Sequence, residues 1–275
     1  MDIASRKELS LMHEYGKTNW ETLWERLEQE GNVGIDHVIN PYLYPRLTAF
    51  LADHPKAIVA DFGCGTNLMG VQLLFGYTPS VPGLKDVTDV DQARFNTLLY
   101  VGVEGSQELV DQSNRYFQDI GNPRNIGTVK AHIGEGLEKL FDNDTVDLCT
   151  SRNFVMHLSS EDFESHFSYV ADMLKPGGSY IFATLNPAYE LAKADRPLVD
   201  GEKYDFLHGK GGEYGTFYHY YKTQEHYEQV MNKYFDIQEQ VACVPETDRF
   251  RQSHARYYDP NLPMAFVYSL KVRKD

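Results

Sequence analysis

Two acids, each closing a short apolar run, are the residues of this chain best suited to chemistry. Asp61 ends the run Ala57, Ile58, Val59, Ala60 and leads into Gly63, Cys64, Gly65 and Asn67. Glu104 ends a second run, residues 98–103 (LLYVGV), and leads into Gly105 and Ser106. A buried strand passing through glycines into a helix can hold a nucleotide-like ligand. Glycine lets the backbone approach it, and the helix N-terminus offers free N–H groups. A carboxylate has two acceptor oxygens and can take both hydroxyls of a ribose at once. A purely structural glycine turn is the alternative reading of the first stretch.

The elements that must position these acids lie around them. Leu68, Met69, Val71, Leu73 and Leu74 begin a helical apolar face directly after the glycines, and residues 105–117 (GSQELVDQSNRYF) form an amphipathic helix pattern. Residues 128–136 (TVKAHIGEG) predict a third strand, and residues 146–150 a fourth that leaves the sheet at Ser151, Arg152 and Asn153. Ligands of open parallel sheets bind beyond the carboxyl ends of the strands, which brings Arg152, Asn153 and His157 towards the ligand. A packed histidine is the alternative for His157. A helix from about Glu161 to Lys175 then stops at a tight Pro176-Gly177-Gly178 turn before a fifth, apolar strand.

The glycine turn, Glu104, the third and fourth strands and the string L-K-P-G-G occur in one order over about residues 57–187. That ordered set resembles the class I S-adenosylmethionine (SAM)-dependent methyltransferases. Their first motif is an acid followed by x-G-x-G-x-G, and Asn67 stands here where the third glycine is expected. Asparagine tolerates left-handed backbone better than most residues. The dinucleotide pattern G-x-G-x-x-G fits worse, since Leu68 takes its third glycine position and disfavours a dehydrogenase. The resemblance implies a Rossmann-like α/β three-layer sandwich with a mostly parallel seven-stranded sheet and an N-terminal helical cap. It implies SAM as cofactor, S-adenosylhomocysteine as product, and a cradle of Asp61, Gly63, Cys64, Gly65 and Asn67. Glu104, with Gly105 and Ser106, would take the ribose, although it lies 43 residues from Asp61 where ~20 is usual. The Pro/Gly-rich residues 76–97 account for that excess; Asp91 competes, but no apolar run precedes it. Glu135, beside Gly136, would bond the adenine amino group, with a solvated loop acid as the alternative. Arg152 and Asn153 would face the methionine end.

Residues 1–56 form a helical segment ahead of residues 57–275. Thr18 and Glu21 make a capping box, and Trp20, Leu23, Trp24 and Leu27 follow at helical spacing. A second helix spans about Tyr42 to Asp53. This segment is either an amphipathic helix packed on the domain or a lid whose Tyr15 and Trp20 close over substrate. Residues 188–216 are a loop-rich insertion, followed by a Tyr/His-rich strand over 217–221 that offers Tyr218 to the acceptor pocket. Residues 186–189 (NPAY) look like the N-P-P-Y motif of enzymes that methylate base or glutamine nitrogens. They follow the fifth strand rather than the fourth and lack the second proline, so that reading is set aside while Tyr189 is kept in the pocket.

The net charge of −14 argues against a nucleic-acid partner, which needs a basic footprint. Three scattered cysteines and the absence of an apolar leader or membrane-length run point to a cytoplasmic protein. The ten histidines form no ligand-spaced cluster, so no metal is expected. The function expected is methyl transfer to a small-molecule acceptor, with His157, Asn153 and Tyr189 at the reacting centre, in a monomer or homodimer. Two alternatives remain open: a SAM cyclase releasing methylthioadenosine as it forms azetidine-2-carboxylate, and a SAM-binding subunit without turnover.

Overall fold

In a computed structural model, described over residues 38–76, 97–132, 140–194, 196–207, 216–244 and 262–274, the run around Asp61 is an interior strand of a sheet. In chain order the elements are α1 (Asn40–Asp53), β1 (Ile58–Phe62), α2 (Leu68–Phe75), β2 (Leu99–Glu104), α3 (Gln107–Asp119), β3 (Ile126–Lys130) and β4 (Val146–Arg152). A single 3-10 turn, Val155–His157, precedes α4 (Ser160–Met173) and β5 (Leu174–Leu185). Then come α5 (Pro187–Lys193), β6 (Lys203–Leu207), β7 (Thr216–Tyr220), α6 (Gln224–Tyr234), β8 (Phe235–Cys243) and β9 (Ala265–Val272).

The sheet has seven strands in the order β3-β2-β1-β4-β5-β9-β8. The first five pair in parallel, and β9 and β8 pair antiparallel at one side. Strand alternation sends Ile181 and Ala183 to one face of β5, and Tyr180 and Phe182 to the other. The first face packs on Leu43, Leu47 and Leu51 of α1, Val71 and Leu74 of α2, and Tyr116 and Phe117 of α3. The second packs on Phe163, Phe167 and Val170 of α4, and Tyr227, Val230 and Met231 of α6. Both faces of a parallel sheet are thus covered, which is why its strands read as continuous apolar runs. This is the expected three-layer sandwich.

Several boundaries differ from expectation for identifiable reasons. The string L-K-P-G-G does not lie between helix and strand: α4 ends at Met173 and β5 starts at Leu174. Val146 pairs with Leu174 and Leu148 with Ser179, so the string forms a bulge inside β5, with Gly177 at φ +79°. The third strand begins at Ile126 and ends at Lys130, earlier than the expected 128–136. The Tyr/His-rich strand β7 lies outside the large sheet and pairs only with β6 in a two-stranded sheet of its own. The insertion expected to be loop-rich contains α5 and β6. Asn186 caps α5: its side chain accepts from the Ala188 N–H at 2.9 Å and donates to the Pro263 carbonyl at 2.7 Å. NPAY is therefore a helix start.

Candidate functional site

Chain order reverses at β1, since β2 and β3 lie to one side of it and β4 and β5 to the other. The crevice at the carboxyl ends of β1 and β4 is the place where such sheets bind ligands. The glycine turn is built there. The N–H groups of Gly63 and Cys64 both donate to the Val103 carbonyl, at 2.9 and 3.2 Å, tying the turn to β2. Gly63, Gly65 and Asn67 all take left-handed backbone, at φ +63°, +58° and +54°. A Cβ at Gly63 would fall 2.4 Å from the Phe154 ring, whereas one at Gly65 would meet nothing within 4 Å. Gly65 therefore faces open space. Asn67 fits the third-glycine position, and its amide donates to the Gly127 carbonyl and the Thr128 hydroxyl, at 3.2 and 3.0 Å.

Glu104 closes the cradle from β2. One carboxylate oxygen accepts from the Gly65 N–H and the other from the Ser106 N–H, each at 2.9 Å. Burial pushes its carboxyl up, while the N–H groups of Ser106, Gly65 and Gly105 pull it down. Ser106 caps α3 and also donates to the Glu108 carboxylate at 2.7 Å. A Cβ at Gly105 would lie 2.8 Å from the His132 ring, so this position admits only glycine without a shift. Asp61 is buried at the end of β1 and accepts from the Tyr100 hydroxyl at 2.8 Å. Burial pushes the Asp61 carboxyl up to about 7; the Tyr100 bond and the Arg152 charge oppose the rise, and Glu104 adds to it. Cys64 keeps a free thiol, pushed well up by burial and by Asp61 and Glu104.

The end of β4 carries the remaining candidates. Arg152 donates to the Asn40 side chain at 2.9 Å, joining α1 to the crevice. Asn153 has left-handed backbone at φ +55°, with its N–H on the Ala183 carbonyl at 2.9 Å. Strain of that kind collects where a side chain must be aimed. His157 ends the 3-10 turn, half-buried, with Nδ1 2.9 Å from the Tyr218 carbonyl. A carbonyl only accepts, so Nδ1 carries the proton and Nε2 the lone pair in the neutral ring. Tyr218 is buried under the Lys203 ammonium, 4.4 Å from the ring centre. Tyr189 is buried on α5 beneath Lys193. Tyr15, Trp20, Glu135 and Gly136 lie outside the described residues.

Residues 60–182 match the family model described as Methyltransferase domain. Residues 60–182 therefore carry a methyltransferase domain. SAM is the cofactor of such domains. The fold is similar to a SAM-dependent methyltransferase from Mesorhizobium loti, at TM-score 0.55 and 18% identity over 82% of this chain and 96% of that one. A Methanosarcina mazei SAM-dependent methyltransferase gives TM-score 0.55 and 14% identity over 83% and 97%. Geranyl diphosphate C-methyltransferase from Streptomyces coelicolor gives 0.51 and 16% over 82% and 75%; that structure holds Mg2+, geranyl diphosphate and S-adenosylhomocysteine. No curated protein matches the chain in sequence.

The methyltransferase domain's crevice fits SAM on its own chemistry. Asp61 Oδ1 and Asn153 Oδ1 are buried without a hydrogen-bond partner among the described residues. Such acceptors are costly unless something donates to them, and they suit an amino group. Glu104 suits hydroxyls, and Gly65 leaves room for backbone approach. Sequence reasoning missed Gly102, where a Cβ would lie 2.6 Å from Cys64 Sγ and 2.7 Å from the Asn67 amide. A glycine inside the apolar run of β2 was the available signal for that close approach. It also missed a buried polar group beside His157. Glu190 accepts from Tyr204 at 2.6 Å and lies 2.8 Å from His219 Nδ1, while the His219 and His157 ring centres are 5.0 Å apart. No local motif marks that cluster, because its members come from α5, β6 and β7.

Proposed function

We propose that this protein transfers the methyl group of SAM to a small-molecule acceptor by in-line displacement, and that His157 takes the acceptor's proton. The observation that carries the reading is His157 itself, on the turn after β4, with its ring fixed by Nδ1 on the Tyr218 carbonyl. SAM supplies a methyl group already activated on a sulfonium. The chain's own task is to bind, to orient and to exclude water. Glu104, with Gly105 and Ser106, takes the ribose; Gly63, Cys64, Gly65 and Asn67 form the cradle; Glu135 and Gly136 reach the adenine. Asp61, Arg152 and Asn153 receive the amino-acid end. His157 removes a proton at Nε2, so the acceptor carries an ionisable O–H or N–H. Tyr189 and Tyr218 line the acceptor side, and the residues before α1, through Tyr15 and Trp20, cover it as a lid. A small acceptor accords with the fold's similarity to an enzyme bound to geranyl diphosphate, and the charge of −14 accords with the absence of a polyanionic substrate.

Mass spectrometry of the purified protein with SAM tests this directly. SAM alone should remain intact, and S-adenosylhomocysteine should appear with a hydroxyl- or amine-bearing acceptor from a screen. Methylthioadenosine formed from SAM alone would overturn methyl transfer in favour of intramolecular displacement.

A further inference from the structure

Lys222 has a fully buried side chain, and the groups that hold it are backbone carbonyls. Its Nζ donates to the carbonyls of Leu158 at 2.6 Å, Tyr220 at 3.2 Å and Val155 at 3.4 Å. Three N–H donors thus meet three acceptors, over the Phe163 ring at 5.0 Å from its centre. The Val155 and Leu158 carbonyls belong to the peptides that bracket the 3-10 turn carrying His157. Tyr218, four residues before Lys222, contributes the carbonyl that fixes His157 Nδ1. One short segment therefore grips the turn both at the ring of His157 and on either side of its backbone. Burying a cation without a contacting carboxylate is expensive. Desolvation pushes the Lys222 ammonium down to about 7, opposed by Glu190, Asp200 and Asp162.

We infer that Lys222 is a positioning residue: it clamps the turn after β4 so that His157 keeps one ring orientation and one tautomer, with Nε2 presented for proton transfer. An aliphatic side chain would fill the same space more cheaply, but it would leave the Leu158 carbonyl without this donor and the turn free to rotate. The inference rests on the proposed role of His157, and its test separates the two.

The test is Lys222→Met, read by long-range 15N–1H NMR of the imidazole nitrogens of histidine-labelled protein with S-adenosylhomocysteine bound. The His157 signals are identified by their loss in His157→Gln. Wild type should show His157 fixed with the proton on Nδ1. In Lys222→Met its two nitrogens should average between tautomers while His54 and His226 stay unchanged. Affinity for S-adenosylhomocysteine should stay within about twofold, as for a distant site. A His157 pattern identical to wild type in the folded variant would overturn the inference. If Lys222→Met does not fold, Lys222→Gln is read by the same two outcomes; if neither folds, Lys222 is an anchor of the fold and the positioning role is wrong. If the tautomer collapses as expected but His157→Gln transfers methyl groups at the wild-type rate, the role of His157 fails and the clamp stands.

Discussion

Replacing Asp61 by asparagine should make the apo protein more stable and the SAM complex weaker, with both effects set by pH. Asp61 is 1% exposed, one oxygen bonded to Tyr100 and the other without a donor among the described residues. Burial raises its carboxyl from 3.8 to about 7. A group raised in the folded state holds its proton there after the unfolded chain has released its own. Its contribution is therefore complete below about pH 4 and lost as pH rises to about 7. The interval of about 3 pH units corresponds to about 4 kcal/mol above neutrality, at ~1.4 kcal/mol per unit. Asparagine keeps an acceptor for Tyr100 and cannot ionise. Asp61→Asn should then raise the apo melting temperature at pH 8 by roughly 8 °C, and by nothing at pH 4.

Cofactor binding reverses the balance. A cationic amino group against Asp61 favours the ionised form, so binding releases a proton below neutrality. Wild-type affinity for SAM should fall up to about tenfold for each pH unit below 7, while the variant binds more weakly at pH 8 and with no such slope. Calorimetric titration between pH 5.5 and 8 measures both, and the variant subtracts any titration of the ligand's own amine. A wild-type affinity that is flat over that range, or an Asp61→Asn variant that binds as tightly as wild type at pH 8, would refute the argument.

Glu104→Ala removes the acceptor for two N–H groups and, on the proposed reading, for the ribose, so SAM affinity should weaken by ~1.5–3 kcal/mol; an unchanged dissociation constant takes Glu104 out of the site. Gly102→Ala places a methyl against Cys64 and Asn67 and should lower chemical-denaturation stability by about 1–3 kcal/mol together with SAM affinity. In Gly65→Ala the methyl meets nothing within 4 Å, but the left-handed backbone at φ +58° should itself cost about 1–2 kcal/mol of stability, so SAM binding should fall by more than that; equal losses would argue that Gly65 is a structural turn alone. His166, buried with its imidazole pushed down to about 3, stays neutral while the unfolded chain gains a proton below about pH 6.5, so it lowers stability by up to ~1.4 kcal/mol per unit of acidification. Between about pH 4 and 6.5 this slope opposes that of Asp61, so stability of His166→Phe should fall less on acidification, relative to neutral pH, than that of wild type.

What the sequence made legible was local. Asp61, Gly63, Gly65 and Asn67 are contiguous, and their roles follow from residue type: a carboxylate after an apolar run, glycines at left-handed backbone, and an asparagine able to share that conformation. The order of strands around them was also accessible, since parallel strands covered on both faces must be apolar throughout. The strand at 216–220 was legible as a strand but its partner was not: its aromatics read the same whether it joins the large sheet or, as here, pairs with β6 outside it. Glu190, Tyr204, His219 and Lys222 read singly as ordinary polar residues, and only the fold brings them within contact of one another or of that turn.

On the proposed reading, that division follows from where the two halves of the reaction would be handled. The cofactor half uses backbone N–H groups and strand-end acids, so its requirements are written as glycines and acids at fixed spacing along one stretch. On that reading the acceptor half is built from residues of the insertion and of β7, which belong to no strand of the large sheet, and no spacing along the chain marks them. Buried polar groups in such a cluster are costly unless mutually satisfied; here Glu190 accepts from Tyr204 and pairs with His219, and Lys222 donates to carbonyls of the turn bearing His157. An insertion that served only to fill space would carry apolar residues at these positions. A carboxylate, an imidazole and an ammonium in a fully buried layer beside the turn bearing His157 are therefore the strongest physical reason to look for acceptor chemistry at this end of the sheet.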